Sequence, residues 1–187
     1  MDPIRNDERL AELVAEHGEL AVEPAEDEFE RFVVSIVNQQ LSTQSAAAIR
    51  ERLFDRFEVT PAAMLAADED ALRDVGLSSQ KVSYVRNVAE AFQTDDLTRD
   101  GMAHLSDADV VARLTEIRGV GDWTAKMYLI FVLGREDVFP VEDLGIRKAM
   151  AELYGIDADD RSAMVERAEA WRPYRSLASR YLWRAVD

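Results

Sequence analysis

Apolar residues recur along this chain at intervals of three and four, the spacing that gathers them on one face of an α-helix. On that pattern helices are predicted over 7–16, 28–38, 43–57, 61–66, 69–75, 79–92, 108–117, 123–133, 144–154, 163–171 and 173–186. The punctuation agrees with the pattern. Thr60 before Pro61, Asp68, Ser78 and Asp107 suit N-caps, Pro61 and Pro173 suit a first helical turn, and Gly18, Gly76 and Gly155 suit helix ends. No alternating apolar and polar run extends beyond a few residues, and no internal repeat or low-complexity linker interrupts the series. The predicted class is all-α.

The densest information lies between Leu114 and Lys148. Leu114 and Ile117 end one helical pattern, Gly119-Val120-Gly121 forbids its continuation, and Thr124-Ala125 with Leu129, Ile130 and Val132-Leu133 begins another. Two glycines around one apolar residue let the backbone turn sharply. They also aim the unbonded N–H groups of the second helix's first turn outward, where they can hold an anion such as a nucleic-acid phosphate. A glycine turn between helices is equally a common packing solution. Downstream, Gly134 closes the second helix, residues 137–140 run extended, and Asp143 stands at the mouth of the helix 144–154 that Gly155 ends. A carboxylate in that place suits an N-cap as well as a catalytic group.

Composition narrows the classes. A chain of 187 residues, 48% hydrophobic, makes one domain or two intimately packed lobes. It has no apolar run near twenty residues, and MDPIRNDERL lacks the apolar core of a signal peptide, so an intracellular, cytoplasmic protein is expected. With no cysteine there is neither a disulfide nor a four-cysteine iron-sulfur cluster, and His17 and His104 alone do not suggest a catalytic zinc. Charge points away from nucleic acid: 37 acidic against 22 basic residues give a net charge of −15, and a uniformly acidic body repels a duplex. Yet only Lys81, Lys126 and Lys148 among the cations are lysines, and the acids crowd into stretches such as EPAEDEFE and DEDALRD. That pattern reads as adaptation to a salt-rich cytoplasm, where at about 1 M salt the Debye length falls to roughly 3 Å. An ordinary acidic, solvated surface is the other reading.

Five segments together carry a resemblance: IVNQQLSTQSAAAIRERL (36–53), GLSSQKVSYVRNVAEAF (76–92), IRGVGDWTA, FPVEDLGIRK and WRPYRSLASRYLWR (171–184). In this order they resemble the 3-methyladenine DNA glycosylases of the helix-hairpin-helix superfamily, over most of the chain after about residue 25. The chain departs from many relatives at Arg118, where they have proline, and shows no counterpart of the separate N-terminal β-rich domain of some larger members. The resemblance implies a two-lobed helical bundle with a cleft between the lobes, the N- and C-terminal helices in one and the middle helices in the other.

It also implies roles. Asp143 matches the carboxylate that supports positive charge on the sugar and guides water, while its neighbour Glu142 faces solvent. Trp123 stands where bifunctional members carry a nucleophilic lysine, and Lys126 lies one turn later, so the expected enzyme is monofunctional and uses water. Trp183 matches a pocket tryptophan, with Trp123 and Tyr174 as neighbours, and an electron-rich wall attracts a cationic alkylated base. Each of these aromatics, at helical spacing, equally suits a core. In Gln39-Gln40-Leu41, Gln40 matches the wedge that fills the gap left by a flipped nucleotide. Gly119, Val120, Gly121, Thr124 and Ala125 form the phosphate-binding hairpin, and the carbonyls of Thr115, Ile117 and Val120 match those that hold a monovalent cation, Na+ or K+, in relatives. No other cofactor is expected. The implied protein is a monomeric, nucleoid-associated glycosylase of base excision repair that acts on double-stranded DNA and removes alkylated purines, 3-methyladenine foremost. The rival readings are a non-catalytic helix-hairpin-helix DNA-binding module, and a glycosylase for hypoxanthine, uracil or an oxidised purine.

Overall fold

The computed structural model describes residues 3–186, and among them every regular element is helical. In order they are α1 (Pro3–Asn6), α2 (Glu8–His17), α3 (Glu28–Asn38), α4 (Thr43–Arg56), α5 (Pro61–Ala66), α6 (Glu69–Asp74), α7 (Ser79–Thr94), α8 (Arg99–Met102), α9 (Asp107–Thr115), α10 (Asp122–Phe131), α11 (Leu144–Tyr154), α12 (Arg161–Ala168), a 3-10 turn (Glu169–Trp171) and α13 (Arg175–Arg184). No described helix is long and apolar enough to cross a membrane. The sequence pattern misses α1 and α8, whose four residues are too few to show a period. It also starts the last helix at Pro173, where the structure has a non-helical link before Arg175, and it takes Asp107 as a cap where Ser106 accepts the Asp109 N–H instead.

The chain forms two compact units, one from Ala25 to Leu133 and the other from the segment up to Pro24 together with the segment from Gly134 onward. In the middle unit, α3 is packed by α4, α7 and α10. Phe29, Phe32, Val33, Ile36 and Val37 are all buried, and Glu30, Arg31 and Val34 are left partly exposed on the opposite side of the helix. Phe32 meets the Tyr128 ring at 5.0 Å and Phe29 meets Phe92 at 5.2 Å. Burial raises the pKa of the Tyr128 hydroxyl, which donates to the Leu97 carbonyl and so ties α10 to the segment before α8. Arg99 closes this unit by donating to the carbonyls of Val132 and Ala25 at 3.0 and 2.7 Å.

The terminal unit packs α2 and α11 on α13 around Trp171, Met150, Met164 and Leu182. Its polar centre is Asp7, 7% exposed. Asp7 caps α2 by accepting the N–H groups of Arg9 and Leu10, and it also accepts from the Tyr154 hydroxyl at 2.9 Å, the Trp171 indole at 2.7 Å and the Arg167 guanidinium. Burial alone would raise its pKa. The Trp171, Leu10 and Tyr154 hydrogen bonds and the Arg167 charge outweigh that and hold it below the usual carboxylate value. A carboxylate with a depressed folded-state pKa contributes stability that is present above its unfolded-state pKa and lost as pH falls through the folded one.

Asp7→Asn keeps the cap but removes the charge facing Arg167, so it should destabilise the fold. The expected loss is about 2 kcal/mol, below the range for fully buried pairs because Arg167 is partly exposed. Urea melts at neutral pH should show that gap, and the same melts at acid pH, where the wild-type Asp7 is itself protonated, should show it shrinking.

Candidate functional site

In the terminal unit, the run into α11 is fixed before it reaches Asp143. Phe139 and Val141 are buried, and the Asp143 N–H donates to the Pro140 carbonyl at 2.9 Å. Asp143 then caps α11 in extended conformation, its Oδ1 accepting the Ile146 N–H at 2.9 Å. The same oxygen accepts the indole N–H of Trp183, also at 2.9 Å. Two donors occupy both lone pairs of Oδ1, so the carboxylate plane, and with it the direction of Oδ2, is set by the start of one helix and the end of another. A helix N-terminus adds favourable potential for the anion.

Gly145 makes that contact sterically feasible. A Cβ there would lie 3.1 Å from Asp143 Oδ1 and 3.2 Å from Trp183 Cδ1, closer than ordinary packing tolerates. A glycine in a helix's first turn, where no bend requires it, is the sequence signal that could have revealed this close approach. Leu144, next to the carboxylate, is 56% exposed, an unusual place for a large aliphatic side chain. Glu142 is partly buried rather than turned fully to solvent.

Trp183 is aimed by the other end of α13. The fully buried Ser176 donates its hydroxyl to the Arg135 carbonyl at 2.7 Å and accepts the Val138 N–H at 2.9 Å, while Arg175 pairs with Asp137 at 2.6 Å. Tyr174 caps that same end without a side-chain hydrogen bond and is 36% exposed. Nine residues separate it in sequence from Trp183, which lies near the other end of α13.

In the middle unit, the glycine turn joins α9 to α10. Gly119 has φ 106°, and a Cβ on it would fall 2.2 Å from the Tyr84 ring. Gly121 differs: its φ of −103° suits any residue, and a Cβ there would meet nothing within 4 Å. The first glycine serves the fold, and the second leaves room on an open face. Gly121 is also an N-cap without a side-chain bond, and Trp123 sits partly buried in the turn that follows.

Several residues assigned to the hairpin on sequence stand differently. The Ala125 N–H donates to the Gly121 carbonyl at 2.9 Å and the Val120 N–H to the Ile117 carbonyl at 3.0 Å, so neither is offered to an anion. Thr124 is 2% exposed, and its hydroxyl accepts from the Gln39 amide at 2.9 Å, which turns its side chain inward. Gln39 Nε2 also donates to the Gly119 carbonyl at 2.9 Å. Gln39 therefore braces the hairpin instead of reaching outward, whereas Gln40 and Leu41 are exposed. Of the carbonyls implied for a cation, that of Ile117 accepts the Val120 N–H. Among the described residues no group of three or more His, Cys, Asp or Glu side chains is placed for a metal ion.

This geometry has close counterparts. Residues 33–174 match the family model of HhH-GPD superfamily base excision DNA repair proteins, and the chain belongs to that family. It is 30% identical to DNA-3-methyladenine glycosylase 1 of Schizosaccharomyces pombe over 96% of this chain and 81% of that protein. It is likewise 30% identical to a putative DNA-3-methyladenine glycosylase of Bacillus subtilis over 81% of this chain, which spans 56% of that relative's length. The solved structure of the S. pombe 3-methyladenine DNA glycosylase Mag1, in complex with abasic DNA, superposes with a TM-score of 0.85 at 29% identity, covering 95% of this chain and 91% of that one.

The two hairpin glycines should separate in a thermal melt. Gly119→Ala forces a left-handed alanine against the Tyr84 ring and should lose about 3 kcal/mol, part of it recovered in a Tyr84→Ala background. Gly121→Ala should stay within about 0.5 kcal/mol of wild type. Equal losses would mean that Gly121 also serves the fold.

Proposed function

We propose that this protein is a monofunctional DNA glycosylase of base excision repair that hydrolyses the bond between an alkylated purine and C1′ in double-stranded DNA. One observation carries the reading: a carboxylate held by two donors on a single oxygen, at the head of a helix, in the place where the family has its essential acid. A pure DNA-binding module has no use for such preorganisation. The reaction needs it, because positive charge grows on the sugar as the bonding electrons leave with the base, and a fixed carboxylate near C1′ opposes no reorganisation of its own. Water then adds at C1′ and its proton passes to Asp143 or to solvent, leaving an abasic site.

An alkylated purine is the favoured substrate because it departs as a neutral base from a cationic state, so the protein need not protonate it. The Trp183 N–H is engaged by Asp143, and in this reading its ring attracts such a cation, a contact worth up to about 2 kcal/mol when desolvated. The relatives named for 3-methyladenine support that base first. Trp123 in place of an amine supports hydrolysis over strand cleavage. The open first turn of α10 suits a backbone phosphate, and a monovalent cation on the carbonyls of Thr115, Ile117 and Val120 would offset phosphate charge there. Gln40, with Leu41, is the wedge in this reading. Binding through backbone N–H groups and a flipped base relies little on long-range attraction, which reconciles the net charge of −15 with a DNA partner in a salt-rich cytoplasm, at the nucleoid.

The test is to incubate the protein with duplexes that each carry one defined lesion and to identify the released base. Release of 3-methyladenine is expected, and a profile restricted to uracil or an oxidised purine would overturn the substrate assignment. Asp143→Asn should slow single-turnover release by about 10² or more while lesion-DNA affinity changes only a few fold. Borohydride should trap no covalent adduct. Efficient trapping would identify an amine nucleophile, with Lys126 the first to examine.

A further inference from the structure

Lys81 lies on α7, outside every segment assigned to the reaction, yet its ammonium reaches the end of α3. It donates to the Val37 carbonyl at 2.6 Å and to the Gln39 carbonyl at 2.8 Å. Helix α3 has no basic residue in its own last turn, so these otherwise open carbonyls are capped from a neighbouring helix. The next residue is Gln40, whose φ of 55° is a left-handed conformation that non-glycine residues adopt only when their surroundings impose it.

The carbonyl of Gln39 belongs to the peptide plane about which Gln40 turns, so fixing that oxygen fixes the frame from which φ of Gln40 is measured. On its other side, the Gln39 side chain is tied to the Gly119 carbonyl and the Thr124 hydroxyl. Main chain and side chain of one residue are thus held by α7 and by the hairpin. Two carbonyls converging on one point suit a compact ammonium with three donors, whereas a longer, planar guanidinium would have to shift to meet both in the same space. Lysine here is a choice against the chain's habit, since it is one of three among 22 cations. Arg50 of α4 adds a bond to the Asn38 side chain, the last residue of α3.

We propose that Lys81 is a positioning residue for the wedge: with Gln39 it holds Gln40 in its left-handed conformation and couples the wedge loop to the phosphate-binding hairpin, so that both engage DNA as one rigid piece. This rests on the reading of Gln40 as the wedge. The brace is rigid within one unit and is made before any DNA arrives, which removes the need to order the loop during base flipping.

The test uses the full chain and methylated duplex DNA, scored as 3-methyladenine released under single turnover, with amide hydrogen exchange of the free protein. Lys81→Met should accelerate exchange at residues 39–42, leave the hairpin and α7 protected, and slow excision about tenfold, the scale set by one left-handed non-glycine residue. Lys81→Arg should not rescue. Because Lys81 acts through Gln40, the double variant with Gln40→Ala should be no slower than the slower single variant. Lys81→Gln, which keeps a donor for one carbonyl, takes the place of Lys81→Met if that variant fails to fold. Unchanged exchange at 39–42, or losses that multiply in the double variant, would overturn the proposal. A Gln40→Ala protein as fast as the wild type overturns the wedge reading beneath it, and is recognised by the exchange change in Lys81→Met persisting.

Discussion

One oxygen of Asp143 satisfies the first turn of α11 and the indole of Trp183 together. Most of the terminal unit can be understood as the means of keeping that oxygen in place. Phe139 and Val141 anchor the approach, Gly145 leaves the space, and Ser176 and Arg175 fix the far end of the helix that delivers Trp183. The Asp7 cluster, in turn, ties Trp171, Tyr154 and Arg167 to α2 in the same unit. An N-cap and a catalytic carboxylate are commonly treated as alternatives. In the proposed function the first role, which the structure shows, would supply the rigidity that the second requires.

In the proposed function the middle unit would have a different problem, to meet DNA although the chain's net charge of −15 does not attract a duplex. Its hairpin opens α10 without a capping side chain, and beside the loop proposed as the wedge Lys81 faces inward onto carbonyls while Arg50 bonds the Asn38 side chain. Specific contact in that reading would be built from dipoles, steric fit and preorganisation, all of which survive screening by salt. The adjoining glycines divide the labour: one is consumed by packing on Tyr84, the other leaves an open face.

Much of this was legible in the residues. The 3.6-residue period located every helix of six residues or more, and the helix-hairpin-helix and the acid after it were visible as glycine spacing and motif. What the sequence could not show were long-range contacts between elements with no shared period: Gln39 reaching the hairpin 80 residues away, Lys81 reaching α3, and Trp183 donating to Asp143 40 residues back. The inward turn of Thr124 escaped for the same reason. A side chain's type states what it can bond, and only the packing of helices states which partner it meets.

Trp183→Phe tests the central role of the indole N–H most directly, because it keeps an aromatic face for a cationic base, though a smaller one, and removes the donor to Asp143. Single-turnover excision should fall about tenfold on both a cationic alkylpurine and neutral hypoxanthine, as loss of one charge-assisted hydrogen bond predicts, with the preference between them kept. Wild-type rates on both substrates, or a loss confined to the cationic one, would contradict the claim that Trp183 holds the catalytic carboxylate.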